Sequence, residues 1–217
     1  MKNFAVLFDM DGVIVKSIPF HVKAWVSFGK KHGFKITRKM FLHHFSGRVN
    51  NEILKYLFKR NLTKKELGKF ISEKESLYRK IYKSYVKPVR GLIQFLEELK
   101  SNKIKIALAT AAPPENVTFI LKHTRTEKYF KKVVNASHVK LGKPNPEIYL
   151  KSAFKIKTNP QDCIVFEDAL NGIEAAKRAK MKVVGVATSH DRKEISHADL
   201  VIKDFTQINL AKLEALL

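Results

Sequence analysis

The sequence predicts an α/β fold, a parallel sheet with helices on both faces, interrupted after its first strand by an all-helical insertion. Three observations carry the prediction. Short apolar runs of strand length recur along the chain, helical repeats alternate with them, and between residues 19 and 87 the strands stop. Alternation of this kind implies crossover units and hence parallel pairing.

The first run, FAVLF at Phe4–Phe8, ends on Asp9 and Asp11 and has the length of a buried strand. The sets Val22/Trp25/Val26, Ile53/Leu54/Leu57/Phe58 and Ile71/Tyr78/Tyr82 then repeat at helical spacing. Pro88 and Gly91 mark where this stretch ends. Two units are therefore expected: a sheet core made of residues 1–15 and 88–217, and a helical cap of residues 16–87. Beyond Gly91, Leu92, Phe95, Leu96 and Leu99 predict a helix, Ile104–Thr110 a strand, and Asn145-Pro146 a capped helix running to Phe154. Cys163–Phe166, Val183–Ala187 and Leu200–Ile202 complete five predicted strands. Ile173, Ala176 and Ala179 predict a helix opened by Asn171-Gly172, and Ile208–Leu217 a last one. Ligands of such sheets bind beyond the carboxyl ends of the strands.

Composition narrows the function. The 217 residues allow one full core with a small appended unit, and 45% hydrophobic with 29% charged residues is a globular balance. A single cysteine, Cys163, excludes an internal disulfide and a multi-cysteine zinc site, and reads as a small buried hydrophobe. No apolar run approaches the roughly 18 residues that span a bilayer. The aspartates after Phe8 do not suit a secretory segment, so a cytoplasmic enzyme or binding protein is expected. Charge is the unusual feature: 42 Lys+Arg against 20 Asp+Glu give +22. The excess lies mostly between Lys16 and Lys87, with 19 basic and 4 acidic residues. Such a segment attracts polyanions. Its lysines are scattered over the helical faces, however, and form no arginine-rich strip.

Candidate chemistry gathers at predicted strand ends. Asp9-Met10-Asp11-Gly12-Val13 puts two carboxylates at i and i+2, able to share a hard cation, with Gly12 permitting a turn. The same pentapeptide also reads as an Asx-rich turn. Thr110 ends the second strand, where its hydroxyl suits a phosphate oxygen. Lys143 stands in Gly142-Lys143-Pro144-Asn145-Pro146, a proline-stiffened loop, where an ammonium suits a phosphoryl group. Glu167 and Asp168 follow the CIVF strand. Singly these read as a cap, a surface lysine and a solvated acidic turn. Together they meet at one edge of one sheet.

The order DxDGV, hydroxyl, GKPxP and EDxxxGIxAAxxAxM resembles the haloacid dehalogenase-type phosphotransferases over essentially the whole chain. Within them it resembles the β-phosphoglucomutase-like phosphatases, whose Rossmann-like core carries a helical cap after the first strand. The resemblance implies that Asp9 is the nucleophile forming an aspartyl phosphate and that Asp11 is the general acid and base, held protonated by the adjacent carboxylate. It implies Mg²⁺ on Asp9, Asp11 (through its backbone carbonyl) and Asp168, with Glu167 nearby. Thr110, Lys143 and backbone N–H groups, that of Ala111 included, would hold the phosphoryl oxygens. His21, with Ala24-Trp25, matches a cap histidine of sugar-phosphate enzymes, and Ser46-Gly47-Arg48-Val49-Asn50 matches the cap's substrate loop, giving Gly47, Arg48 and Asn50 as substrate-binding residues. A structural histidine and a solvated arginine are the plain alternatives. Tyr78-Arg79-Lys80 reads as a packed tyrosine between surface charges.

The sequence departs from the mutase pattern. Lys16-Ser17 replaces an acid before the serine, Asn50 stands where the mutase loop carries a phosphate-gripping arginine, and Ala111-Ala112-Pro113-Pro114 lacks the mutase's serine and asparagine. A mutase must hold a bisphosphate at both ends, so these losses favour hydrolysis. The expectation is a Mg²⁺-dependent phosphatase of small phosphomonoesters, sugar or polyol phosphates, working in the cytoplasm on a small-molecule substrate; the sequence does not fix the oligomeric state, and a monomer is favoured. Neither membrane nor nucleic acid is an expected partner. The alternatives are a β-phosphoglucomutase and a basic polyanion-binding protein with little catalysis. A dehalogenase would share the fold without needing Asp11 as an acid.

Overall fold

The computed structural model describes residues 4–217. Six strands form one parallel sheet in the order β3-β2-β1-β4-β5-β6. They are β1 (Ala5–Phe8), β2 (Lys105–Ala109), β3 (Val133–Val134), β4 (Cys163–Glu167), β5 (Lys182–Val186) and β6 (Leu200–Ile202). Five of them match the predicted runs to within a residue at either end. Val133–Val134, at the sheet's edge, was not predicted, because two residues carry no periodicity.

After β1 come α1 (Ile18–His32), α2 (Arg38–Met40, running on as a π-helix over Phe41–Phe45), α3 (Asn50–Phe58) and α4 (Lys64–Tyr82). No strand lies among them. The chain leaves and rejoins the sheet at one place: Val15 bridges Pro88, and Val89 N–H donates to the Ile14 carbonyl at 2.9 Å. The rest of the chain supplies α5 (Leu92–Ser101), α6 (Pro114–Thr124), α7 (Glu147–Lys155), α8 (Leu170–Arg178) and a short α9 (Leu210–Glu214). The last helix was expected over Ile208–Leu217. It is shorter because Asn209 caps it, its side chain accepting from Lys212 N–H at 3.0 Å. The helix expected from Pro146 begins at Glu147, whose N–H donates to the Asn145 side chain at 2.9 Å.

Burial follows the strand period of two. Phe4, Val6 and Phe8 enter the cluster beneath α5 and α6, while Ala5 and Leu7 enter the one beneath α7 and α8. A third cluster, with Trp25, Phe28, Phe45, Leu54 and Leu57, belongs to the helical segment alone. Phe8 stacks on Phe166 at 5.0 Å, with Phe95 and Phe205 against both. These rings sit directly beneath the residues that follow β1 and β4. Among the described residues no helix is long and apolar enough to cross a membrane.

Phe95 joins α5 to that ring cluster from beneath the strand ends. Phe95→Ala should cost about 3–5 kcal/mol, whereas Phe154→Ala, 85% exposed, should stay within about 0.5 kcal/mol. Urea denaturation of the two variants checks the contrast.

Candidate active site

Parallel pairing brings three strand ends to one edge. Phe8 is in register with Leu108 on one side and Phe166 on the other, so Asp9, Thr110 and Glu167-Asp168 emerge together. Asp9, Glu167 and Asp168 are buried, and each offers a carboxylate oxygen within 4.8 Å of the others. Lys143, from the loop before α7, reaches into this group. Its Nζ donates to Asp9 Oδ1 at 2.6 Å, to Glu167 Oε1, and to the Ala109 carbonyl at 3.5 Å. Tyr149 on α7 also donates to Glu167 Oε1, at 2.5 Å, and the N–H groups of Asp168 and Ala169 supply its other oxygen at 3.0 and 3.2 Å. Glu167 is thereby fully occupied as an anchor for the lysine. Ser189 Oγ donates to Asp168 Oδ2.

Two glycines make room for this packing. A methyl group on Gly12 would stand 1.8 Å from Asp168 Oδ2, and one on Gly172 would stand 1.9 Å from Glu167 Oε1. Gly12 also holds φ +91°, which a side chain would oppose.

Three carboxyl groups thus crowd together out of water, two of them paired with one ammonium. Burial, with repulsion from Glu167 and Asp11 and against the pull of Lys143, pushes the Asp9 carboxyl up to about 8. Burial, then Glu167 and Asp9, holds Asp168 well above the carboxylate range. Lys143 is raised despite its own burial by Asp9 and Glu167. The cluster is short of positive charge.

Asp11 faces the helical segment instead. Its Oδ1 accepts from Ser17 Oγ at 2.5 Å and lies 3.1 Å from His21 Nε2 and 3.5 Å from the Tyr78 hydroxyl. Lys74 Nζ, 3.1 Å from His21 Nδ1, can only donate there, so the imidazole carries its proton on Nε2, toward Asp11. Tyr78 stacks on the His21 ring at 3.8 Å. The expectation that a neighbouring carboxylate keeps Asp11 protonated is corrected here. Burial does oppose ionisation, but His21, Ser17 and Lys74 outweigh it and hold the carboxyl below its usual value. Its side chain also lies outside the cluster of Asp9, Glu167 and Asp168.

Above these residues a cavity of about 60 Å³ is lined from below by Asp9, Asp11, Thr110, Ala111, Lys143 and Asp168, and from above by His21, Gly47, Arg48, Asn50, Lys74 and Glu75. Thr110 is buried, its Oγ1 accepting from Ala112 N–H at 3.1 Å. The roof loop docks on the floor: Lys143 N–H donates to the Gly47 carbonyl at 3.1 Å, Asn171 Nδ2 to the Ser46 carbonyl at 2.9 Å, and Gly142 N–H to Glu52 Oε2 at 3.2 Å. Gly47 has φ +80° and would meet Lys143 Cβ at 3.2 Å were it larger. Arg48 is exposed at the rim. Every expected site residue therefore lines one cavity or its acidic floor. That space suits a few waters and is smaller than a sugar phosphate.

Lys74, Glu75, Tyr149 and Ser189 were not singled out from the sequence. A signal exists for the first two. Ile71, Lys74, Glu75, Tyr78 and Tyr82 stand at i, i+3, i+4, i+7 and i+11, which puts two charges on the apolar stripe of α4. Nothing local marks Tyr149 or Ser189.

Comparison with known proteins agrees with this geometry. Residues 6–186 match the family model described as haloacid dehalogenase-like hydrolase. The chain is 33% identical to a phosphorylated carbohydrates phosphatase of Thermotoga maritima, over 91% of this chain and 92% of that one. It is 32% identical to glycerol-1-phosphate phosphohydrolase 1 of Saccharomyces cerevisiae, over 99% and 88%. A crystal structure of β-phosphoglucomutase from Clostridium difficile superposes with a TM-score of 0.88 at 29% identity, covering 99% and 96% of the two chains.

Lys143→Met should cost about 3–5 kcal/mol at pH 10, since it leaves buried carboxylates without their cation. At pH 7 the cost should be smaller. Asp9 is raised to about 8 with the ammonium present and rises further without it, so above about pH 8 the variant alone keeps a proton that the unfolded chain has released, and its stability falls relative to the wild type. Denaturant midpoints at the two pH values measure this, and an equal cost at both contradicts it.

Proposed function

The chain belongs to the haloacid dehalogenase-like hydrolases, and from that premise we propose that it is a Mg²⁺-dependent phosphatase of small sugar or polyol phosphates, working through an aspartyl phosphate on Asp9. The observation that carries the reading is the buried trio Asp9, Glu167 and Asp168, with Lys143 paired to the first two, beneath a cavity that Asp11 and Thr110 also line. Helical residues 16–87 act as the cap and residues 1–15 with 88–217 as the catalytic core.

In this scheme an Asp9 oxygen attacks phosphorus as the bond to the alcohol oxygen breaks, and Asp11 gives that oxygen its proton. Water, deprotonated by Asp11, then attacks the phosphorus of the aspartyl phosphate, releasing inorganic phosphate and restoring Asp9. Asp11 is ionised as found, the state the second half requires. A phosphate dianion beside it favours the protonated form needed for the first half. His21, fixed by Lys74 and the Tyr78 ring, orients Asp11. The Lys143 ammonium, the Thr110 hydroxyl and the Ala111 N–H hold the phosphoryl oxygens, where charge spreads in the transition state. Gly47, Arg48 and Asn50 meet the remainder of the substrate.

The residues suit Mg²⁺. Asp9 and Asp168 are hard oxygen donors short of positive charge, the Asp11 carbonyl adds a third donor, and Glu167 buttresses the site while tied to Lys143. When bound, the ion would supply neutralisation of the phosphoryl charge. Support for sugar or polyol phosphates comes from the Thermotoga and yeast relatives, whose names specify such substrates. The mutase alternative asks the cap for a second phosphate grip, and the amide of Asn50 is turned to Glu75 instead. The basic surface of the cap supports steering of anionic substrates toward the cavity.

Asp9→Asn should lower Mg²⁺-dependent turnover of p-nitrophenyl phosphate by about a thousandfold or more, with the circular dichroism spectrum unchanged. A folded Asp9→Asn protein that keeps wild-type turnover sinks the proposal.

A further inference from the structure

Glu75 is a carboxylate buried in a site built for anions, and no step of the hydrolysis employs it. It is 3% exposed and lines the same cavity as Asp9 and Asp11. Its Oε1 accepts from Lys74 Nζ and Asn50 Nδ2, both at 2.8 Å, and its Oε2 accepts from Asn116 Nδ2 at 2.7 Å. Asn116, on α6, is itself held by Arg79 of α4, whose Nη1 donates to its Oδ1 at 2.7 Å. Burial opposes ionisation of Glu75, yet the Lys74 ammonium and then His21 keep its carboxyl below the usual range, so it carries a negative charge at neutral pH.

The geometry points to Glu75 as a specificity residue: it restricts the part of the substrate beyond the transferred phosphoryl group to uncharged, hydroxylated groups. The inference rests on the phosphatase reading above and names the substrate class of the same site. With the phosphoryl group held over Asp9 at the floor, the rest of the ester lies against the roof, where Lys74, Glu75 and Asn50 converge. A hydroxyl there accepts from Lys74 or Asn50 and donates to Glu75. A carboxylate or a second phosphate has no proton to donate at neutral pH, and it stands beside a fixed like charge where water is scarce and repulsion is strong. Lys74, paired with Glu75 at 2.8 Å, offsets part of that repulsion, and the deciding difference is that a hydroxyl can donate to Glu75 whereas an ionised group cannot. Arg48 meets the substrate at the exposed rim, where solvent screens its charge and it discriminates little between one anion and another.

The test compares kcat/KM for glycerol 1-phosphate and 3-phosphoglycerate, which share a three-carbon skeleton and differ by a hydroxymethyl group against a carboxylate. Phosphate release is followed for the wild type, for Glu75→Gln, which removes the charge, and for Asn50→Arg, which sets a cation against it. Asn50→Arg alters a half-buried side chain in the first turn of α3 and gives the reading if Glu75→Gln does not fold. The wild type should favour the polyol ester by about tenfold or more, and the ratio should shrink by at least about fivefold in the variants. A merely structural role for Glu75 would lower both substrates alike and leave the ratio fixed. A wild-type ratio near one, or a ratio unmoved in the folded variants, overturns the inference. Wild-type turnover of p-nitrophenyl phosphate runs alongside; its absence would count against the phosphatase reading itself.

Discussion

The crowding of three buried carboxyl groups, only two of them paired with the Lys143 ammonium, is the constraint on which the rest of the site depends. Like charges at this spacing repel, and the interior offers little polarisation to screen them. The protein tolerates the arrangement by fixing every member. Glu167 is tied down by Lys143, Tyr149 and two backbone N–H groups, Asp168 by Ser189, and the glycines at 12 and 172 leave the space the carboxylates fill. Among the described residues Asp9 has Lys143 as its side-chain partner, and its carboxyl is raised. A group under that electrostatic pressure gains from a divalent cation, which the proposed Mg²⁺ would supply.

The floor and the roof divide the work by charge. The floor gathers carboxylates from the ends of β1 and β4, and the rigid sheet holds them at distances that a loop could not maintain. The roof reaches Asp11 through Ser17, His21 and Tyr78, so the residue assigned to proton transfer is set by the helical segment while its neighbour Asp9 is set by the core. Movement of the segment would therefore change the environment of Asp11 and leave Asp9 in place. That coupling links access to the cavity with the proton-transfer state of the site.

Legibility in the sequence followed locality. Asp9, Thr110, Glu167 and Asp168 were readable because each directly follows an apolar run, and a parallel sheet places all such positions at one edge. Lys143 was readable from its proline-flanked loop together with the acids it had to meet. The charge state of Asp11 was not, since it depends on His21 and Tyr78, ten and 67 residues away. Lys74 and Glu75 were hidden by their surroundings: α4 carries charges on most faces, and only their coincidence with Ile71, Tyr78 and Tyr82 sets them apart. The β3 strand is too short to carry a period, and the last helix starts later than its apolar run because Asn209 caps it.

The central claim is that these buried carboxyls, protonated in part when alone, are matched to a divalent cation. Calorimetric titration of the protein with Mg²⁺ at pH 7, in two buffers of different ionisation enthalpy, tests it directly. Asp9 is raised to about 8 and Asp168 lies well above its usual range, so binding should expel protons and the apparent heat should differ between the buffers. The same titration of Asp168→Asn should show weakened binding. Wild-type protein that takes up no Mg²⁺, or binds it with identical heat in both buffers, would contradict the account.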